Sequence, residues 1–208
     1  MFYEADKDHG LAYDPFKAII APRPIGWIST RDTNGIVNLA PYSFFNALSG
    51  QPPMLMFSSE SYKDSARNAS DTGEFVFSLA THALQNEMNI TSDTVPANEN
   101  EYENAKLEMA ECKLVSVPRV AASPASLECV TISCTELHDK RGKSVDSFMV
   151  IGQVVAFHIH DDYITDGRFD TALAQPLARC GYRDYAVVTD VFELMRPTDG
   201  EVYDGQDR

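Results

Sequence analysis

Positive charge is scarce in this sequence. Its 208 residues hold 17 Lys and Arg against 31 Asp and Glu, a net charge of −14 with His neutral. A surface that acidic repels phosphate backbones, so nucleic acid is excluded as a partner and an anionic membrane is disfavoured. No apolar run is long enough to span a bilayer. Residues 1–10 are polar and acidic, without the basic start and apolar stretch of a secretory signal, and neither end carries a lipidation motif. A cytoplasmic protein is the expectation. The four cysteines, Cys112, Cys129, Cys134 and Cys180, form no C-x-x-C pair, and their spacing suits neither zinc nor an iron–sulfur cluster. Buried reduced thiols are expected, with Cys129 and Cys134 on opposite faces of a strand because their separation is odd. There is no G-x-G-x-x-G turn and no Walker loop, so a nicotinamide would have no dedicated Rossmann site. No Ser–His–Asp order stands out, and His82 and His138 read as isolated surface residues.

What is present is concentrated in residues 23–46, RPIGWISTRDTNGIVNLAPYSFFN. A strand over residues 24–30 sends Trp27 to one face and Ile28 to the other. Asn34-Gly35 suits a reversal, because both residues tolerate positive φ. Residues 36–40 then pair back, and Pro41, lacking an N–H, is expected to end the ladder or sit at a bulge. Tyr42, Ser43 and Asn46 follow among Phe44, Phe45 and Ala47. A core strand has no need of these polar groups, since each must find a partner if buried.

Around this segment, Asp14 and Pro15 open a short helix over residues 14–20. Residues 48–53 read as a turn and residues 54–58 as a strand. Ser61 with Asp64 fits an acidic capping box for a helix over residues 62–70, stopping before Gly73. Residues 74–80 form a strand and 82–91 a helix. Residues 95–110 read as a loop with one exposed helix. Strands are expected over 113–117, 125–137 and 148–160, the last with a bulge at Gly152. A short helix lies within 168–177 and a strand near 185–188, with a last apolar stretch over 192–195. Residues 1–11 and 198–208 read as flexible extensions of a single domain over 1–208. Many strands without βαβ alternation argue for a mainly β fold, a barrel with inserted helices.

The run NLAPYSFFN after RPIGWIST, followed by QPPMLMFSS and KDSARN, resembles the flavin reductase-like proteins, flavoredoxin-like in kind, over roughly residues 12–197. The resemblance implies a six-stranded Greek-key split β-barrel that binds FMN, with FAD possible, and works as a homodimer with NAD(P)H as co-substrate. A K-D-T-x-x-N pattern appears here as Lys63-Asp64-Ser65-Ala66-Arg67-Asn68, with Ser keeping the hydroxyl. It implies that Ser58, Ser59, Lys63, Ser65 and Arg67 hold the FMN phosphate at a strand end and helix start, where free N–H groups favour an anion. Asn38, Leu39, Ala40, Tyr42 and Ser43 are implied to line the flavin ring, with Thr30 near the ribityl or phosphate end. The plainer readings are a solvated helix with a normal cap and a β-bulge with capped polar side chains.

Other features read as structural. Trp27 is expected in the core, with Phe44 and Phe45 open between core and flavin. His158 and His160, two apart beside Asp161 and Asp162, read as a strand end meeting an acidic turn, with no metal. Arg179 lies in Arg179-Cys180-Gly181-Tyr182, where the family usually carries a second Gly. No catalytic side chain is named, because a flavin carries its own redox chemistry. The functional expectation is an NAD(P)H-dependent flavin reductase. Its rivals are an FMN electron carrier served by a redox partner protein, and a flavin-dependent enzyme acting on a small organic substrate.

Overall fold

The computed structural model describes residues 1–96 and 99–195; the predicted extension at 198–208 lies outside the described residues. Strand β1 (Gly26–Arg31) and strand β2 (Val37–Tyr42) form the opening hairpin, with Ile28 opposite Ala40 and Thr30 opposite Asn38. The turn is held by Asp32, whose Oδ1 accepts from the N–H of Asn34 (2.9 Å) and Ile36 (2.7 Å), while Gly35 adopts φ +91°. Trp27 and Ile28 enter different core clusters, as the alternation requires. Pro41 does not end the ladder. Pairing runs through it to Tyr42, opposite Gly26. β2 is an edge strand, and the Leu39 N–H points away from β1 to Glu101 at 3.0 Å. Pro41, two residues on, has the same orientation, so its missing N–H costs no ladder bond.

Five more strands complete the main sheet: β3 (Phe45–Gly50), β4 (Pro53–Glu60), β5 (Glu74–Leu79), β6 (Ala125–His138) and β7 (Ser144–Ile159). The order is β2-β1-β5-β6-β7-β4-β3, all antiparallel. The sheet thus has seven strands where the resemblance implies six. The expected turn over residues 48–53 shrinks to Gln51 and Pro52, because β3 continues to Gly50 through an irregularity after Ala47.

Gly152 marks the expected bulge, where the partner of β7 jumps from Ser133 to Thr131. A Cβ on Gly152 would lie 2.4 Å from the Phe75 ring. Gly152→Ala is therefore expected to cost about 1–3 kcal/mol by overpacking. Chemical denaturation measures it, and an unchanged midpoint would show that Phe75 yields freely. The same bulge inserts Ile132 into β6 and reverses the alternation beyond it. Cys129 and Cys134 consequently pack on one cluster, not on opposite faces as their odd separation suggests.

Helix α1 (Phe16–Ile19) begins after Asp14, whose Oδ1 accepts from the Phe16 N–H at 2.9 Å. Helix α2 (Asp64–Thr72) ends at Gly73 in the left-handed conformation, φ +76°. It lays Ala66 and Ala69 into the cluster of Ile28, Phe57, Phe75 and Val150. Helices α3 (Gln85–Ile90) and α4 (Glu101–Asn104) cover the other face, where Trp27, Leu39, Met88 and Tyr102 meet. Trp27 is fully buried, its Nε1 donating to Thr91 Oγ1 at 2.9 Å, and Phe45 stacks on Phe77 at 4.9 Å. Both are core aromatics. Helix α5 (Thr171–Ala174) precedes a short sheet of Arg23–Pro24, Leu177–Arg179 and Tyr185–Val187.

Two expectations fail for one reason: buried carboxylates organise the backbone. α4 is not exposed, because Tyr102 is fully buried, its hydroxyl 2.6 Å from Ser29 Oγ, and Glu101 binds the edge of β2. Residues 113–117 form bends and no strand. The N–H groups of Lys113 (2.8 Å), Leu114 (2.7 Å) and Val115 (3.0 Å) instead donate to the fully buried Glu128 carboxylate, which His158 Nε2 also meets at 2.6 Å.

Candidate functional site

Four elements bring polar groups together beside the first turn of α2. Thr30 (β1), Asn38 (β2), Ser59 (β4) and Ser65 (α2) are all buried. Asn68 Nδ2 donates to Thr30 Oγ1 at 3.2 Å. The Asn38 amide lies between the Ser65 hydroxyl, 2.8 Å away, and Glu101 Oε1, 3.2 Å away. With the amide nitrogen toward Glu101 and its oxygen accepting from Ser65, both neighbours are satisfied. Tyr42 adds a hydroxyl that faces Ser65 and Ser59, and burial pushes its phenol up. Ser59 Oγ is buried and makes no hydrogen bond of ordinary geometry.

The start of α2 departs from the expected capping box. Ser61 has φ +62° and caps nothing; Lys63 is the N-cap residue, and no side chain accepts from the first N–H groups. Asp64 pairs with Arg67 instead. The helix start is left open, with the exposed Lys63 at its rim and an unpartnered Ser59 hydroxyl beside it. Free N–H groups, a hydroxyl without a partner and an ammonium are the donors an anion requires.

The implied residues do not all meet here. Thr30, Asn38, Tyr42, Ser59 and Ser65 form the cluster, with Lys63 at its edge and Ala40 half-buried on the same side of β2. Ser58 is half-buried, and strand alternation sends its side chain to the opposite face from Ser59. The Leu39 side chain is fully buried in the core and its N–H is taken by Glu101. Arg67 is held by Asp64 beside a small cavity of about 30 Å³. Ser43, with Pro41, lines a second and larger cavity of about 560 Å³.

Glu101 and Asn68 join the cluster beyond the residues that the resemblance implies. Asn68 ends the KDSARN run and was available there. Glu101 gave no signal, because a Glu-rich stretch reads as solvated. Its carboxyl is displaced upward by burial, with Asp64 adding repulsion against the opposing Leu39 N–H.

A further cluster joins Cys112, Glu128 and His158, each with one ligand atom within 4.8 Å of the others. Its donors are already committed. Glu128 accepts three N–H bonds and meets His158, and burial pushes the Cys112 thiol up to about 12. His160 stands apart, exposed, with Asp162 at 3.5 Å.

The sequence model of the flavin reductase like domain matches residues 20–174, a span that holds β1–β7, α2 and the whole polar cluster. The chain belongs to the flavin reductase-like family. An uncharacterised protein of Halalkalibacterium halodurans is 35% identical over 184 residues, 86% of this chain and 88% of its own. Nitrilotriacetate monooxygenase component B from Bacillus cereus superposes with a TM-score of 0.85 at 30% identity, covering 93% of this chain and 98% of its own. The 2-nitrobenzoate 2-nitroreductase of Pseudomonas fluorescens gives 0.76 at 25% identity, with 88% and 89% covered. The expected split-barrel fold is borne out, with its antiparallel sheet as described, and the family makes this chain a flavin-related oxidoreductase. Among the described residues, no helix is long and apolar enough to cross a membrane.

Proposed function

We propose that the chain is an FMN-binding, NAD(P)H-dependent flavin reductase acting as a cytoplasmic homodimer. The observation that carries the reading is the open start of α2 beside the unpartnered Ser59 hydroxyl, in a family of flavin proteins. Ser59, Ser65 and Lys63 would hold the phosphate, Asn38 and Thr30 the polyhydroxyl chain, and Ala40 and Tyr42 the ring side. The chemistry that FMN supplies, when bound, is acceptance of hydride from NAD(P)H and onward electron transfer. The chain's own residues bind and orient: Asn68 fixes Thr30, and Asn38 fixes Ser65. Tyr42, with its phenol pushed up by burial, stays a neutral donor.

Anaerobic addition of NADH or NADPH to the FMN-loaded protein tests the donor. Bleaching of the visible flavin band by either nucleotide is the expected result. A band that stays oxidised with both would favour the rival reading, an electron carrier reduced by a partner protein.

Glu101 tunes this site. Its raised pKa means that its ionisation is disfavoured in the folded chain, and an ionised Glu101 repels a phosphate near Ser65. Glu101→Gln keeps an acceptor for Leu39 and removes the charge. It is expected to tighten FMN binding roughly fivefold, on the order of 1 kcal/mol of repulsion removed. The gain should appear above the Glu101 pKa and fade as the pH falls through it. An FMN titration at several pH values measures it.

A further inference from the structure

The cavity of about 560 Å³ beside Pro41 and Ser43 is lined by Lys17, Arg23, Arg179 and Arg183 and, among the described residues, by no Asp or Glu. In a chain of net charge −14, four cations without an acid in one cavity is a departure that needs a cause. Arg23 states it most sharply. Its side chain is more than nine-tenths buried. Its guanidinium donates only to carbonyls, those of Lys17 and Ile20 and, at 2.8 Å, Cys180, while its Nε is buried without a partner. Among the described residues no carboxylate lies within ion-pair distance of Arg23, Arg179 or Arg183, and Lys17 reaches only the exposed Glu60, at 3.8 Å. A buried charge with no counter-ion is costly, and a bound anion removes that cost. The walls add planar surfaces: Tyr185, with Arg179 4.4 Å above its ring, and Tyr182. The volume is in the range of small-molecule sites.

We propose that this cavity seats a planar second ligand through its anionic group, a carboxylate or a phosphate, paired with Arg179 and Arg183 at the mouth and Arg23 behind them. As the seat of an electron donor or acceptor the proposal rests on the flavin reading; as an anion site it stands without it. Arg23 ties α1 to the loop at Cys180 and is left intact in the test. Arg183 is exposed, and Arg179 is half-buried, donating to the Tyr182 carbonyl at 2.6 Å beside its stacking on Tyr185.

The test is calorimetric titration of the full-length protein with benzoate against benzamide, and with NADPH against NADH, before and after Arg179→Gln/Arg183→Gln. Each pair differs by one negative group. The expected result is a preference of about tenfold for the charged member of at least one pair, lost in the double variant, which still unfolds cooperatively and keeps its FMN affinity. A benzoate preference identifies a carboxylate substrate, and an NADPH preference identifies the phosphate of the donor. Equal affinity within both pairs, or a preference that survives the double substitution, overturns the proposal. So does a parallel loss of FMN binding, which would make the cations part of the flavin site. Failure of FMN to bind while the charge preference persists would overturn the flavin reading alone.

Discussion

Glu128→Gln is expected to destabilise the fold by about 3–5 kcal/mol, the cost of breaking a buried ionic cluster. Glu128 is fully buried on β6 and collects the N–H groups of Lys113, Leu114 and Val115 and the ring of His158. Glutamine offers one acceptor oxygen in place of two and turns an N–H₂ toward donors. At least one buried donor is then unsatisfied, and the segment at residues 111–118 loses its anchor. Burial pushes the Glu128 carboxyl up, but the Lys113 N–H, His158 and the N–H groups of Leu114 and Val115 outweigh it, so the net displacement is downward. A depressed folded-state pKa stabilises above the unfolded value. The gap between parent and variant is therefore full above about pH 4.5, the ordinary value for this group, and closes as pH falls through the depressed pKa. Urea denaturation across that window measures it, with hydrogen exchange at Lys113–Val115 as the local readout. A loss under about 1 kcal/mol at pH 7 would show that water replaces the carboxylate.

Lys63→Glu is expected to weaken FMN binding by about 100-fold while leaving stability almost unchanged. Lys63 is exposed and its ammonium makes no ion pair among the described residues, so its removal costs the fold little. Toward a phosphate at the start of α2 it supplies a charge-assisted bond, and Glu replaces that attraction with repulsion at the same place. Ionic strength separates the two parts: the difference should narrow in high salt, where the repulsion is screened. Equal FMN affinities for parent and variant would place the phosphate elsewhere, the cation-lined cavity being the alternative.

The parts of this molecule legible in its sequence are those set by local chemistry. Gly35 fixed the first reversal and Gly73 the end of α2, because each takes a positive φ that few residues allow, and Gly152 fixed the bulge, where a Cβ would meet the Phe75 ring. The polar groups of NLAPYS and KDSARN marked the candidate site through the family resemblance; taken alone they read as a β-bulge with capped side chains and a solvated helix. What escaped was set by partners distant in sequence. The segment at 113–117 has β composition, yet its N–H groups are drawn to Glu128, 13 to 15 residues ahead. Tyr102 and Glu101 read as a solvated helix, but one bonds Ser29, 73 residues away, and the other an edge strand 62 residues away. Cys129 and Cys134 share a face despite their odd separation because one inserted residue, Ile132, reverses the alternation. Arg23 stands between Pro22 and Pro24 with no local sign of burial, and its lack of an acid among the described residues is visible only in three dimensions.

FMN and riboflavin differ by one phosphate, and titrating both into the purified protein, parent and Ser65→Ala, bears most directly on the cradle at the start of α2. FMN should bind at least about tenfold tighter than riboflavin, and Ser65→Ala should shrink that ratio while riboflavin affinity holds. Equal affinity for the two flavins, or no binding of either, would contradict the account.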